Sequence, residues 1–389
     1  MNYILFDDHS WENLLPLTFT RPTSEIRIGI LTIKEKWDNH LKTSCSYLTK
    51  DYLANKYQLK QEQYNILING ALLPSTKLIE HIQALKPGQA LVKEDDILAA
   101  YLEKEKIEAF RNKELREIDV TEYKETVTKI TYPWQIFHQN EEALNQDFQL
   151  ITAERVSESI SETNNIIGHE SIFIEPGANV EFATLNASKG PIYIGKDGEI
   201  MENSTIRGPF AMCEHAVVKM AAKVYGPTTL GPYCKVGGEL NNSVFFGYSN
   251  KAHDGFLGNA VIGEWCNLGA DTNNSNLKNN YAEVKLWNYQ AESFIKTTLQ
   301  FCGLIMGDHS KCAINTMFNT GTVIGVNANI FGEGFPRNFI PSFAWGGMKG
   351  FQEYKLKKAL EVAEIVMKRR NKILDDTEKD ILTEIFNIT

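Results

Sequence analysis

Apolar residues recur every six positions through the middle of the chain. Stepping by six from Ile194 gives Ile200, Ile206, Met212, Val218, Val224, Leu230 and Val236, eight apolar positions without a miss. After a two-residue slip the series resumes as Val244, Asn250, Phe256, Ile262 and Leu268, with one polar exception. A third run reads Met306, Cys312, Phe318, Ile324 and Ile330, and glycine often follows the apolar step, as at Gly195, Gly231, Gly263 and Gly307. A period of six matches neither a helix nor a plain alternating strand. It matches a triangular coil whose flat sides each take one hexapeptide, with the aliphatic side chain turned inward and a small residue at the corner. Coils of this kind bury their apolar edges only against their neighbours, so a left-handed parallel β-helix is predicted. A polar stretch from Asp271 to Tyr281 interrupts the series between about Gly269 and Gly303, and such an excursion points to a binding or packing loop built around Lys285, Trp287 and Tyr289.

The flanks carry other periods. Asn2–Phe6 and Tyr64–Ile68 read as buried strands. Leu78, Ile79, Ile82 and Leu85 share one helical face, and Ile97–Asn112 reads as further helix. Strand and helix in alternation predict an α/β domain with a mostly parallel sheet. A docking helix is expected from Pro133 to Phe148. The stripe Leu356, Leu360, Ala363 and Met367 predicts a helix, followed by another beginning at Asp376-Thr377. The expected organisation is an α/β domain with a linker helix over 1–150, the β-helix over 151–340, and a helical cap over 341–389 that closes the open end of the solenoid.

The length of 389 residues agrees with more than one domain. A formal charge of −9 argues against a general nucleic-acid or anionic-membrane surface, and no run is long and apolar enough to span a bilayer. Six scattered cysteines without a CxxC pair read as reduced, buried thiols, and the start Met1-Asn2-Tyr3-Ile4 does not read as a signal peptide, so a cytoplasmic location is expected.

The segment from Gly247 to Gly258 holds the most informative chemistry. His253 lies three residues before Phe256, near a corner rather than inside the prism. Acyl transfer to an amine needs a base for the nucleophile's proton and backbone N–H groups for the oxyanion. A corner histidine beside backbone-rich coils offers both. The run Asn250-Lys251-Ala252-His253, continued by Phe256-Leu257-Gly258-Asn259-Ala260-Val261-Ile262-Gly263 and by Asn267-Leu268-Gly269-Ala270-Asp271-Thr272 through Asn276, resembles the acetyltransferase half of the bifunctional N-acetylglucosamine-1-phosphate uridylyltransferase/glucosamine-1-phosphate N-acetyltransferase family. The match is to a divergent bacterial branch with a shortened first domain.

The resemblance implies His253 as general base, Asn267 and Asn276 as sugar- and amine-orienting groups, and Lys223 as a phosphate contact. It implies acetyl-CoA along later coils, at Ala313, Asn315 and Arg337, and a homotrimer with sites between subunits. The sequence departs from the family where Asn241-Asn242 replaces a basic residue and Phe256 a tyrosine, with Lys251, Lys278 or Lys285 as possible compensation. The first domain resembles sugar nucleotidyltransferases in position and in Leu14-Leu15-Pro16-Leu17-Thr18-Phe19-Thr20-Arg21-Pro22, which implies UTP or dTTP as a substrate. It has no glycine-rich loop after its first strand, and Asn69-Gly70 stands where the family has a metal-binding aspartate. Arg21, Arg27 and Lys36 are the candidates for the nucleotide. Asp7 and Asp8 either hold Mg²⁺ or cap the strand end. Two other readings remain: a non-catalytic scaffold that senses nucleotide sugars, and a β-helix carbonic anhydrase, for which His215, His253 and His309 are too widely spaced to give the usual clustered ligands.

Overall fold

The computed structural model describes residues 1–114 and 118–389, which fall into two compact units. The first comprises Met1–Leu14, Thr20–Ile26 and Leu31–Thr131; the second comprises Leu15–Phe19, Arg27–Ile30 and Tyr132–Thr389. The boundary therefore falls at 131/132. The helix expected over 133–148 forms as two, Pro133–His138 and Asn140–Thr152, and both count with the solenoid rather than with the first domain.

The first unit is a six-stranded sheet in the order Ser46–Leu48, Asn2–Phe6, Tyr64–Asn69, Asp96–Glu103, Gln89–Lys93, Asp119–Glu122. Asn2–Phe6 runs parallel to both its neighbours, but Asp96–Glu103 is antiparallel to both of its own. The sheet is thus mixed, and the helix expected from Ile97 is a strand as far as Glu103, with helix only over Ile107–Arg111. A central strand whose middle residues are buried on both faces loses the alternation that would mark it, and Leu98-Ala99-Ala100 fits either structure by composition. Ile4, Phe6, Leu67, Ala100 and Leu102 meet in one core. The helix read from Leu78 forms over Thr76–Gln83, with Ser75 Oγ accepting the Leu78 N–H at 3.3 Å.

The second unit contains a parallel β-solenoid of about ten turns, as the six-residue period predicts. Three inward columns line the prism. The first face contributes Leu185, Ile206, Val224, Leu240, Leu257, Asn274 and Phe318. The second contributes Ile194, Met212, Leu230, Phe245, Ile262, Met306 and Ile324. On the third, Val180, Ile200, Val218, Val236, Lys251, Leu268, Cys312 and Ile330 stack in turn.

Against the sequence series, Phe245, Lys251 and Leu257 point inward, not Val244, Asn250 and Phe256. The slip was misplaced because the second face is covered outside as well as inside. Helix Pro133–His138 packs on strands Glu239–Gly247 and Phe256–Glu264, so Val244 is as buried as Phe245. Asn140 and Gly29 both meet Thr229 Oγ1 on the same face.

The excursion leaves the corner between the first and second faces and forms a hairpin, Lys285–Asn288 with Ser293–Lys296. Trp287 stacks on Phe339 with ring centroids 4.3 Å apart, so this aromatic packs on the solenoid. The C-terminal helices span Leu356–Lys368 and Asp376–Ile388. Their connecting segment reaches back to mid-solenoid, where Arg370 donates to Asn250 Oδ1 at 3.0 Å and Lys372 lies over the Tyr248 ring. All six cysteines are free and buried, and among the described residues no helix is long and apolar enough to cross a membrane.

Candidate functional site

In the first unit, parallel pairing of Phe6 with Asn69 sets Asp7-Asp8 beside Asn69-Gly70, and the neighbouring antiparallel strand starts with Asp96 at the same edge. The two adjacent acids divide. Asp7 is a strand-end cap: Oδ1 accepts the Thr23 N–H at 2.8 Å and Oδ2 the Thr49 hydroxyl at 2.5 Å. Burial pushes its carboxyl up to about 6, against the lowering effect of these bonds. Asp8 accepts from Ser10 N–H, Asn69 Nδ2 and Lys129 Nζ. Burial raises its pKa, but the Lys129 charge and these bonds outweigh that and hold the carboxyl below the ordinary value.

Asp8, His9 and Asp96 form a group whose ligand atoms lie within 4.8 Å of one another, the only such group among the described residues. The Lys129 ammonium, however, sits 2.7 Å from both Asp8 Oδ2 and Asp96 Oδ2, where it bridges the pair and offsets one of its two charges. The donor set as it stands does not fit Mg²⁺, which prefers several oxygen ligands. A divalent ion would have to displace the ammonium. Asp96, His9 and Lys129 escaped the sequence reading because they come from separate elements and belong to no local motif.

The nucleotide candidates are not presented as a set. Arg21, Lys36 and Arg27 are all buried. Arg21 lies near the half-buried Glu25, and Arg27 belongs to the second unit, where its guanidinium donates to the carbonyls of Ile30 and Phe246. Arg27 thereby braces the solenoid's outer cover.

In the second unit, His253 lies exposed in the turn between Asn250–Lys251 and Phe256–Glu264, at the corner joining the third face to the first. The first face carries the outward ladder Lys223, Glu239, Phe256, Asn273, Met317, and beside it Arg207, Tyr225, Asn241, Gly258. Lys223 is 3.7 Å from Glu239, which also accepts the Tyr225 hydroxyl at 2.6 Å. At the far corner Asn276 Nδ2 donates to Asn259 Oδ1 at 2.8 Å. A Cβ at Gly258 would lie 2.5 Å from the Phe256 ring and 2.8 Å from Asn276 Nδ2, so a side chain there would displace both. Inside, Asn274 ties both the N–H and the carbonyl of Gly258. The face thus presents two cations, a carboxylate, a phenol and several amides, flanked by an imidazole. Arg207, Tyr225 and Glu239 were missed; their outward register appears only once the strands are stacked.

Other expected residues sit elsewhere. Ala313 and Asn315 lie on the His253 corner two coils further on, at about 4.8 Å per coil, whereas Arg337 stands two residues before Phe339, where the first face gives way to the second. Asn267 is exposed on the third face, paired with Asn250 and Lys311, and so lies across the corner from Asn241 and Asn276. Lys285 lies exposed on the excursion hairpin, and Lys278 donates to the Glu283 carbonyl. Lys251 is 1% exposed and its ammonium is occupied by three carbonyls, so it faces no substrate. His215 and His309 stand at the opposite ends of a stack with Tyr233, Tyr248 and Trp265, on another corner from His253. They do not converge as metal ligands.

Residues 3–156 match the family model described as sugar nucleotidyl transferase. No curated protein matches the chain. Among solved structures, an Arabidopsis UDP-N-acetylglucosamine acyltransferase is similar at 13% identity over 55% of this chain and 80% of its own, with a TM-score of 0.21, too low to carry an inference about activity. The segment similar to that family model is followed by a parallel β-solenoid.

Proposed function

We propose that the solenoid transfers the acetyl group of acetyl-CoA to the amine of an amino-sugar phosphate, glucosamine-1-phosphate being the expected acceptor. In this reading the first unit takes part in the sugar-1-phosphate nucleotide chemistry of the product, with UTP or dTTP. The amine nitrogen attacks the thioester carbonyl, His253 takes the proton released, and the C–S bond breaks to give the amide and the thiol of CoA. Lys223, Tyr225 and Asn241 are placed to meet sugar hydroxyls and phosphate, and Asn276 to orient the amine. The acyl donor runs along the corner past Ala313 and Asn315 towards Arg337. In the first unit Lys129 occupies the acid pair.

One observation carries the reading: an exposed histidine stands at the edge of an uncovered, polar solenoid face, with neighbouring coils continuing the same corner. His253→Ala is expected to lower acetyl transfer by about 10²–10⁴ while leaving the circular dichroism spectrum unchanged. Wild-type turnover in that variant would remove His253 from the mechanism. A null result for the wild type across acetyl-CoA and a panel of amino-sugar phosphates would favour a non-enzymatic scaffold.

A further inference from the structure

Lysine 251 occupies a position that the rest of its column fills with apolar side chains, between Val236 below and Leu268 above. Burying an ammonium among aliphatic groups is costly unless every proton finds an acceptor. Here each does: Nζ donates to the carbonyls of Gly237 at 3.3 Å, His253 at 2.6 Å and Asp254 at 2.9 Å. Three donors meet three main-chain oxygens, two of them in the turn that carries His253.

The two turns that follow on this corner are fastened differently, whereas the two before it carry Ala222 and Gly238 at the equivalent place. Four residues after the inward position, Thr272 donates its hydroxyl to the Gly269 carbonyl at 2.7 Å, and Thr316 does the same to Ala313 at 2.7 Å. Ser204, at the equivalent place, donates to Lys219 O at 2.9 Å. In the His253 turn that place is Gly255, which has no hydroxyl. No side chain is accommodated there, since Gly255 has a φ of +110° and its Cβ would lie 2.2 Å from Thr272 O. The turn lacks the hydroxyl fastening of the two turns that follow it and gains one from inside the prism.

We propose that Lys251 is a positioning residue that fixes the His253 turn by drawing the His253 and Asp254 carbonyls towards the prism interior. With those peptide planes fixed, the Cα–Cβ bond of His253 has one direction, outward along the corner. The catalytic part of this proposal rests on the reading of His253 as the base; the mechanical part does not.

Lys251→Met in the full chain tests both parts. Methionine matches the apolar column in length and chemistry, so cooperative melting is expected to persist. Hydrogen exchange in peptides spanning 249–258 should quicken by at least about tenfold, with those spanning the Thr316 turn, two coils away, unchanged. The kcat for acetyl transfer should fall by about 10–100-fold while KM for acetyl-CoA stays within about twofold, as expected when a reacting group is misplaced but binding is kept. Unchanged exchange at 249–258 overturns the proposal whatever the activity. Faster exchange with unchanged kcat overturns it too, leaving Lys251 a strut for the fold alone. If the wild type acetylates nothing, the functional reading fails by itself, and the exchange measurement still decides whether Lys251 holds the turn. Should Lys251→Met fail to fold, Lys251→Gln, which keeps a donor on a shorter stem, carries the same comparison.

Discussion

Asp7 and Lys251 are ionisable groups held away from water, and they act on stability at opposite ends of the pH scale. The Asp7 carboxyl, at about 6 in the folded chain against 3.8 in the unfolded one, favours the protonated form. Its contribution is therefore full below about pH 4 and is lost as pH rises through 6, a difference of about 3 kcal/mol. Asp7→Asn keeps an acceptor for the Thr23 N–H and offers an N–H to the Thr49 hydroxyl. It should raise the melting temperature at pH 7 and flatten the profile between pH 4 and 6; a marked loss of stability at pH 7 would contradict the cap assignment. Lys251 is pushed down to about 8 from 10.5, by burial first, with Asp254, Asp271 and Cys312 opposing. The unfolded chain binds the extra proton between those values, so this group's penalty is complete below about 8 and disappears as pH rises past 10.5, again about 3 kcal/mol at most. The difference between wild-type and Lys251→Met denaturation curves should rise over that interval. A flat difference would mean that the folded chain does not depress this lysine. Neither residue's role was legible from its neighbours in sequence: Asp7 and Asp8 are identical in type and adjacent, and only the strand register separates a cap from a member of the acid cluster.

At the level of elements, the sequence is most readable where one side of a strand is buried and the other is wet. From Ile194 to Val236 a single apolar residue per hexapeptide marks the inward column, and every one of the eight points into the prism. Legibility fails where an outside cover makes both sides apolar, as at Val244 and Phe245, or where the inward residue is itself polar, as at Lys251 and Asn274. The strand Asp96–Glu103 was misread for the first of these reasons, and with it went Asp96. That strand end brings the second acid to Asp8, and Lys129, bridged to both, completes a cluster assembled from three separated segments. If the ammonium is what keeps a divalent ion out, Lys129→Met should expose two carboxylates and the His9 ring to solution. Mn²⁺ binding followed by electron paramagnetic resonance is expected to tighten by at least about tenfold over wild type, because an opposing unit charge has left the site. Equal binding by the two proteins would show that Lys129 does not control access to the acids.

For the solenoid as a whole, the arrangement of candidate residues argues for a homotrimer with shared sites. Lys223, Asn241 and Asn276 belong to the first face and Asn267 to the third, and His253 stands on the edge between them. An edge of a triangular prism is convex, so residues on its two sides diverge and cannot line one cavity, whereas small-molecule sites are concave. A second prism laid against the edge would supply the missing wall, and three flat-sided prisms can pack about one axis with cyclic symmetry. Large apolar side chains continue along the same corner: Ile314 is 66% exposed, and Phe331 and Phe335 are also open to water. An apolar strip of this kind beside polar candidates is what a partner subunit would cover. Sedimentation equilibrium at micromolar concentration should therefore give a mass three times that of the 44.0 kDa chain. A monomer would exclude the stable trimer and leave the convex edge to act alone. The sharper measurement mixes two inactive chains, His253→Ala and Asn267→Ala, after partial unfolding and reassembly. If the imidazole of one chain works with the third face of its neighbour, some interfaces in the mixed assembly are intact on both sides and activity returns in part. If each site lies within one chain, every chain in the mixture carries a lesion in its own site, and the mixture stays as inactive as its components.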